Sequence, residues 1–508
     1  MVNLDKAKHC ALLLTVSLFA TLFFVQKTNF MASDLGRHLT NGKVVLATKQ
    51  PISTNLYSYT HPEQPFIAHH WGFGVLALGV YKLAGFAGLT IVNAALFFVA
   101  ITLLLSYVSA RLGWPYTLLG YAVTLPLLTY RTEIRPETLS MLFCVLALYS
   151  LTSRMRLPYK VLLSVVLQAV WVNVHVFFVF GPILSVVYLV SRIRLGLYRE
   201  VYITLVVLVG QLLATLVNPY GLRGAVYPLH ILTDYGYRVA ENQTPFLLLR
   251  VAPGPVYYQL LAAGALVVVL LALTYTTAFK QRLFFTLATI MFLAGSLKMV
   301  RIMPYFGLFA LVSVAYAGHA LTLAYGQRLR QLLTKPLVLT ALGGAGCVVS
   351  LVLGASNLYN PFNNFGVGLM PNVANSAKFF TDTKLQGPIF NNYDAGGYLI
   401  FYLYPHHKVF VDNRPEAYPS SFFSTEYVPM QEQDEVWAKV SSTYNFNVIY
   451  FYRRDYTPWA QPFLIARLKD PAWAPVYVDD YALILVKRHP SNATVIQEHE
   501  LPQALFSY

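Results

Sequence analysis

Long apolar runs recur through the first 355 residues and predict a series of membrane-spanning helices. The first run, 11–25, follows Lys6 and Lys8. A cleaved signal peptide is the competing interpretation, but no small-x-small site follows the run, so we expect a retained span. Some runs are short for a hydrocarbon core of about 30 Å, which implies tilted helices or a locally thinner bilayer. The further runs lie near 88–110, 115–130, 137–153, 160–175, 177–191, 201–217, 256–276, 283–297, 302–323 and 336–355.

The stretch 71–86 is apolar but contains several glycines and alanines, as well as Lys82. If it crossed the membrane, the basic residues would no longer be concentrated in the inner loops. We therefore interpret it as a membrane-parallel helix on the outer surface, within a long outer loop of residues 27–87. The chain then has eleven spans, with its N-terminus inside and its C-terminus outside.

The pattern changes after a turn-rich stretch at 354–361. Residues 358–508 mix short β-type runs with helical periodicity, which predicts a compact extracytoplasmic α/β domain. The predicted division is therefore 1–357 for the transmembrane domain and 358–508 for the soluble domain. We expect helices over 374–382 and 432–444, and strands over 388–390, 398–401, 408–412, 448–451 and 483–487.

Composition supports this two-part organisation. Hydrophobic residues make up 56% of the 508 residues and charged residues only 12%, about half the charge of a typical soluble domain, which excludes an ordinary soluble enzyme. The net charge of +15 divides into 26 basic and 8 acidic residues in 1–357, and 11 basic and 14 acidic residues in 358–508. The predicted inner loops hold 14 of those basic residues and two acids, as expected of cytoplasmic loops. The charge therefore orients a multi-pass protein of the cytoplasmic (inner) membrane, embedded in the lipid bilayer, and does not favour a nucleic-acid partner.

One carboxylate stands close to the predicted membrane surface. Asp34 follows the first span within a few residues, in the sequence Ser-Asp-Leu-Gly-Arg-His that ends at His38. A carboxylate at that depth is costly without a partner or a function. It can pair with Arg37 or cap a helix. Alternatively, it is a catalytic base or a metal ligand, with His38 beside it.

The outer loops carry more basic residues than orientation requires. Four charges lie within 131–137, where the arginines can pair with neighbouring glutamates or hold a phosphate through paired donors. An anionic ligand at the outer face would explain the excess. The candidate phosphate-binding residues are Arg131, Arg135, Arg238, Lys298 and Arg301.

Other polar residues of the outer side are candidates for a substrate cavity. Asn173 and His175 occur at a tight turn between two spans, where a structural histidine is the alternative. Asp412 and Arg414 occur in turn-rich sequence, so ordinary turn chemistry is at least as consistent with them. The remaining candidates are His69, His70, Glu133 and Asp234.

This layout resembles the GT-C superfamily of membrane glycosyltransferases. The similar features are residues 33–38 after the first span, the outer helix near 71–86, and residues 131–137 after the third span. The order is similar to that of the protein O-mannosyltransferases and of the aminoarabinose transferase of lipid A. Residues 391–399 and 408–414 look like those of bacterial proteins of the GT-C type.

The resemblance implies a glycosyltransferase that uses a polyprenyl-phosphate-linked sugar donor at the outer face of the cytoplasmic membrane and inverts the anomeric carbon. Asp34 would deprotonate or orient a glycan, lipid or protein acceptor, and arginines would hold the lipid phosphate. A divalent metal, Mg²⁺ or Mn²⁺, is the cofactor that the resemblance allows, although many members pair two acids where Asp34 stands with Arg37 and His38. The alternatives are a non-catalytic assembly or scaffold protein with the GT-C fold, and a lipid-linked glycan transporter, which the lack of visible sequence repeats disfavours.

Overall fold

The computed structural model describes residues 2–232, 236–274, 279–324 and 365–506, together with the single positions 338, 341 and 348. The described residues fall into two compact units. The helical unit contains the described residues within Met1–Lys27, Ala87–Pro228 and Arg238–Val367. The mixed unit contains the described residues within Thr28–Phe86, Leu229–Tyr237 and Gly368–Tyr508. The predicted outer loop thus shares a compact unit with the C-terminal domain. The predicted boundary at 357 lies outside the described residues.

The apolar runs of the sequence form long helices. Among the described residues, six helical segments are long and apolar enough to cross a membrane, so the chain has a polytopic α-helical membrane fold. The number and direction of the crossings stay predictions, and nearly all of the run at 336–355 lies outside the described residues. The helices are Val2–Thr21, Trp71–Leu112, Trp114–Leu128, Glu137–Thr152, Leu157–Val174, Phe180–Arg194, Tyr198–Ala214, Leu222–Val226, Pro245–Val251, Pro255–Leu273, Phe279–Lys298 and Met303–Ala324.

The helix Met303–Ala324 forms the core of the helical unit. Most of its residues are buried, and it packs along Trp114–Leu128. Gly120 makes this contact close, because a Cβ at that position would overlap the backbone of Leu311. Protein therefore covers most of the surface of this helix.

The helical segment Trp71–Leu112 contains a kink at Gly85. This residue has φ 61° and ψ −158°, a conformation open to glycine and strained for other residues. The two units also divide here, between Phe86 and Ala87. The helix is therefore interrupted where the sequence separates the outer helix 71–86 from the span at 88–110, while the position of the outer helix on the membrane stays a prediction.

The mixed unit contains a four-stranded sheet. Its strands are β1 (Ile389–Asn391), β2 (Val448–Tyr452), β3 (Trp473–Val478) and β4 (Ala482–Lys487), in the order β1-β2-β4-β3. β1 is parallel to β2, and the other two pairs are antiparallel. The predicted α/β class is confirmed. The helices of this unit are Leu35–Thr48, the first part of Trp71–Leu112, Asn375–Asp382, Gly396–Leu403, Ser420–Phe422, Pro429–Glu432, Asp434–Tyr444, Ala460–Lys469 and Ala493–His499.

Three strand predictions need correction. Residues 398–401 belong to the helix Gly396–Leu403, which buries these apolar side chains against other helices of the unit. In the described structure, 408–412 forms no strand, and Val409 makes an isolated bridge with Ser58. β3 is missing from the predictions because Pro475 interrupts its pattern. Proline is tolerated there because β3 is an edge strand.

Candidate functional site

Asp34 lies immediately before the helix Leu35–Thr48 in the mixed unit. Its Oδ1 accepts a hydrogen bond from Asn413 Nδ2 at 2.5 Å, and Arg37 Nη2 lies 3.9 Å from its Oδ2. The Asn413 side-chain oxygen in turn accepts from Arg37 Nε at 3.0 Å. One amide therefore joins the carboxylate to the guanidinium and uses both its donor and its acceptor.

The side chains of Asp34 and Arg37 differ in how far they are exposed to solvent. The Asp34 side chain is 22% exposed, whereas that of Arg37 is only 7% exposed. Asp34 is therefore more accessible to a ligand than Arg37, whose guanidinium lies within 4 Å of the carboxylate. The predicted pairing of Asp34 with Arg37 is present, but the direct hydrogen bond comes from Asn413.

Asp412 and Arg414 hold Asn413 in place. Arg414 Nε and Nη2 donate to the two oxygens of Asp412 at 2.7 and 2.6 Å, and Nη2 also donates to Asn55 Oδ1 at 2.7 Å. Both charged residues are 0% exposed. A bidentate pair of this kind fixes the backbone on either side of Asn413. The contacts of the two residues are thus internal to the unit, and their proposed part in a substrate cavity stays a prediction.

Paired glycines let two helices meet beside Asp34. A Cβ at Gly36 would lie under 3.0 Å from the carbonyl oxygen of Gly397, a separation that Cβ atoms essentially never show. A Cβ at Gly397 would likewise press on the Ser33 carbonyl oxygen and on Asn413 Nδ2. The Gly396-Gly397 pair is therefore a packing element that brings the helix Gly396–Leu403 against the Asp34 segment.

The sequence does not single out two further residues of the mixed unit, Tyr393 and Glu416. The ring of Tyr393 is buried, and burial, the neighbouring Tyr237 and the carboxylates of Glu416, Asp34 and Asp394 all raise its pKa. Burial also raises the pKa of the Glu416 carboxyl, against the opposing effect of Arg37 and Arg414. Tyr393 therefore lies near both Asp34 and Glu416, and both Tyr393 and Glu416 are distant from Asp34 in the sequence. The sequence offers one local signal, which is the position of Glu416 two residues after Arg414.

The predicted histidines meet one another. His38 is 1% exposed, and its ring packs edge to face on His70 and Phe73 at centroid distances of 5.4 and 5.1 Å. The rings of His69 and His70 are 4.0 Å apart. Across the residues that the structure describes, no three His, Cys, Asp or Glu side chains are arranged to hold a metal ion. The histidines and Asp34 therefore do not form a ligand set that fits a divalent cation.

In the helical unit, three arginines and two glutamates converge. Glu241 Oε2 accepts from Arg131 Nη1 at 2.7 Å and from Arg135 Nη1 at 2.9 Å. Glu137 Oε1 lies 3.2 Å from Arg131 Nη2 and 3.5 Å from Arg301 Nη2. We call these five residues the arginine–glutamate cluster. Three of the five predicted phosphate-binding residues belong to it.

The glutamates cancel most of the charge of the cluster. Burial alone would raise the pKa of Glu241, but Arg131, Arg135 and Arg301 outweigh it and hold that pKa well below its usual range. Two carboxylates then face three guanidinium groups, which leaves a formal charge of +1. The side chain of Arg135 is 19% exposed, against 8% for Arg131 and 11% for Arg301. Arg135 is therefore the most accessible cation of the cluster.

The other predicted site residues have varied surroundings. Arg238, Lys298 and Glu133 are exposed. Asn173 Nδ2 donates to the carbonyl oxygens of Ala169 and Val217 at 2.7 Å each. His175 is 0% exposed, and its Nδ1 lies 2.7 Å from Ser140 Oγ. Asp234 lies outside the described residues.

No family model and no curated protein sequence matches this chain. Solved structures, in contrast, match over almost its whole length. The oligosaccharyltransferase of Archaeoglobus fulgidus, tethered with an acceptor peptide containing the NVT sequon, has a TM-score of 0.56 at 10% identity, covering 96% of this chain and 75% of its own. ArnT from Cupriavidus metallidurans bound to undecaprenyl phosphate has a TM-score of 0.52 at 13% identity, covering 94% of this chain and 98% of its own.

A further solved structure is the archaeal oligosaccharyltransferase AglB from Archaeoglobus fulgidus in complex with an inhibitory peptide and a dolichol-phosphate. Its TM-score is 0.54 at 10% identity, covering 93% of this chain and 73% of its own. At such identities a structural likeness establishes the fold. This chain therefore has a GT-C-type fold, as its sequence predicts.

Proposed function

We propose that this protein is a membrane glycosyltransferase that takes a sugar from a polyprenyl-phosphate donor at the outer face of the membrane, with Asp34 as the base. The observation that carries the proposal is the accessible Asp34 carboxylate, which Asn413 and Arg37 hold at the start of a helix shortly after the first candidate span. The fold supports it, because two similar structures were solved with undecaprenyl phosphate and dolichol-phosphate.

In the proposed reaction, an acceptor hydroxyl or amine gives its proton to Asp34 as it attacks the anomeric carbon. The attack comes from the face opposite the phosphate. The bond between the anomeric carbon and the phosphate oxygen breaks, so the configuration inverts and polyprenyl phosphate leaves. Asn413 and Arg37 keep the carboxylate in one orientation, which lowers the entropic part of the barrier.

The leaving phosphate needs positive charge as it forms. We assign this role to the arginine–glutamate cluster, with its formal charge of +1, and within it to Arg135, which is its most exposed cation. The exposed Arg238 and Lys298 are additional candidates. Glu137 and Glu241 then keep the arginines at fixed positions before the donor binds.

The variant Asp34→Asn tests the proposed base. It keeps the size of the side chain and removes the proton acceptor, so sugar transfer should fall by about 100-fold to 10,000-fold. The assay is release of undecaprenyl phosphate from a panel of undecaprenyl-phosphate sugars in proteoliposomes. The matched control is Asp480→Asn, the same change in the same unit at a side chain that is 84% exposed. Full activity of Asp34→Asn would exclude Asp34 as the base.

Binding of undecaprenyl phosphate is measured separately from transfer. We expect Asp34→Asn to bind it normally, and Arg135→Gln to bind it several-fold more weakly. Arg250→Gln is the control. Arg250 is an exposed arginine and, like Arg135, belongs to the helical unit, but it is not a candidate phosphate-binding residue. A wild-type protein that binds the lipid but transfers no sugar from any donor would instead favour the non-catalytic scaffold.

A further inference from the structure

A separate cavity of about 1060 Å³ is lined by residues of the helical unit alone. It contains none of the candidate residues described above. Its wall is formed where the helices Trp71–Leu112, Glu137–Thr152 and Phe180–Arg194 end and where Leu157–Val174 and Tyr198–Ala214 begin. These termini belong to one end of the unit, the end that the charge pattern predicts to be cytoplasmic.

The lining of this cavity is strongly basic. Five of the residues that line it are basic, and Glu200 is the one acidic residue among those that the structure describes there, so the formal charge is +4. The basic residues are Arg111, Arg154, Lys160, Arg192 and Arg199. An excess of basic residues is expected wherever loops face the cytoplasm. The positions that these basic side chains take in the cavity need another explanation.

Three of the cations are held by specific partners within the protein. Lys160 is 7% exposed, and its Nζ donates to the carbonyl oxygens of Leu151 and Ser153 at 3.2 and 3.0 Å. Arg192 Nη1 lies 3.2 Å from Glu200 Oε2, and the Arg111 guanidinium lies 3.6 Å from the centre of the Tyr107 ring. A charge that only orients the chain needs no such fixed position, because it can extend into water.

The floor of the cavity is aromatic. Tyr107, Phe284, Phe285 and Tyr316 line it, and the rings of Phe285 and Tyr316 stack at a centroid distance of 5.3 Å. Tyr198, which also lines the cavity, is an amphipathic aromatic side chain that is 79% exposed. A basic rim above an aromatic floor matches a ligand with an anionic head and an apolar tail.

We propose that this cavity binds the phosphate headgroup of an anionic phospholipid. Basic pockets between membrane helices on the cytoplasmic side recognise such headgroups, and the volume is that of a ligand pocket. A soluble phosphate ester shares the headgroup chemistry, but the aromatic floor favours the lipid. The proposal is independent of the proposed sugar transfer, because it involves none of the same residues.

The test compares two double variants of the full-length protein. Arg154→Gln/Arg199→Gln removes two exposed cations of the rim, and Arg156→Gln/Arg194→Gln removes two exposed cations from the same loops outside the cavity. Native mass spectrometry follows the binding of phosphatidylglycerol and, separately, phosphatidylcholine to the detergent-solubilised protein. We expect selective binding of phosphatidylglycerol, weakened about 10-fold or more by the rim variant and about 2-fold or less by the control.

Equal weakening by the two double variants would show attraction to general surface charge and would overturn the proposal. Equal binding of phosphatidylglycerol and phosphatidylcholine would also overturn it. Glycerol 3-phosphate is titrated in phosphatidylcholine nanodiscs as a third arm. The rim variant could weaken binding of glycerol 3-phosphate as much as binding of phosphatidylglycerol, with phosphatidylglycerol binding to the wild type no more tightly. In that case the ligand of the cavity is a soluble phosphate ester and not a lipid. Because the substituted side chains are exposed, thermal unfolding should be unchanged and lost binding is then a property of the site.

Discussion

At the scale of single residues, the candidate site depends on one amide. Asn413 donates to Asp34 and accepts from Arg37, and asparagine can do both because its side chain carries a donor and an acceptor. The sequence singles out Asp412 and Arg414 on either side but gives no reason to select Asn413. Its partner Asp34 lies 379 residues away, so no local pattern contains the contact.

The variant Asn413→Asp tests this role through pH. Two carboxylates in contact cannot both ionise readily, so the acid limb of the pH–rate profile of sugar transfer should move upward by about one unit or more. A residue that merely supports the fold would lower the rate equally at every pH. The matched control is Asn445→Asp, an exposed asparagine of the same unit, which should leave the profile unchanged. A wild-type profile in Asn413→Asp would contradict the assignment.

Glu241 is a second single residue that contacts several partners, the arginines of the arginine–glutamate cluster. Replacing it by Gln leaves Arg131, Arg135 and Arg301 with Glu137 as their remaining carboxylate in the cluster. Breaking a fully buried ion pair from one side costs about 3–5 kcal/mol. The Glu241 side chain is 20% exposed, so we expect a smaller but clear fall in the thermal stability of the purified protein. Glu133→Gln, an exposed carboxylate of the neighbouring loop, should change it little.

The direction in which the pKa of Glu241 is shifted determines how its contribution to stability depends on pH. The pKa of Glu241 is lowered by the arginines in the folded protein, so its stabilising effect is complete above the ordinary glutamate pKa of about 4.3. It is lost as pH falls through the lowered folded pKa. The stability gap between wild type and Glu241→Gln should therefore be constant from pH 7 to about pH 5 and shrink only in stronger acid. A gap that closes near neutral pH would contradict this account.

At the scale of elements, glycines determine which helices meet. A Gly-Gly pair after Asp394 is compatible with a turn, and residues Tyr393–Ala395 just before the pair form a short 3-10 helix. Gly396 and Gly397 then begin a helix that approaches the Asp34 segment through Gly36. The sequence could not distinguish these uses, because a glycine in a turn and a glycine in a close helix contact look the same.

The variant Gly36→Ala should therefore destabilise the mixed unit. Its methyl group would press on the backbone oxygen of Gly397, and overpacking of this kind costs about 1–3 kcal/mol. Gly79→Ala is the matched control, since Gly79 is helical and a Cβ there meets nothing within 4 Å, so alanine should be neutral or slightly stabilising. Thermal unfolding measures both. A neutral Gly36→Ala would mean that the two segments can move apart.

At the scale of the whole molecule, the two compact units are each built from separate stretches of chain. The mixed unit takes residues from 28–86, from 229–237 and from the C-terminal part. Tyr237 of the second stretch stacks on Tyr393 at 4.3 Å. A division of the sequence at one boundary misses this organisation, because hydropathy separates apolar from polar segments but does not say which segments pack together.

The predicted orientation is testable at this scale. With an odd number of spans and the N-terminus inside, the C-terminal domain lies outside the cytoplasm. Alkaline phosphatase fused after Tyr508 should be active, because it folds only outside the cytoplasm. The same enzyme inserted after Gly196, in a predicted inner loop rich in arginine, should be inactive. The opposite pair of results would reverse the topology and remove Asp34 from the outer face.

The sequence by itself determined the fold class, the run of helices and the position of Asp34 after the first span. These follow from local quantities, because bilayer thickness requires long apolar runs and loop charge follows the orientation of the chain. Only the tertiary structure decided the partners, such as Asn413 for Asp34 and Glu241 for Arg131 and Arg135. Residues this distant are brought together by packing, and nothing local in either segment records the contact. That is why the acids and bases of this protein could be recognised in the sequence, while their pairing could not.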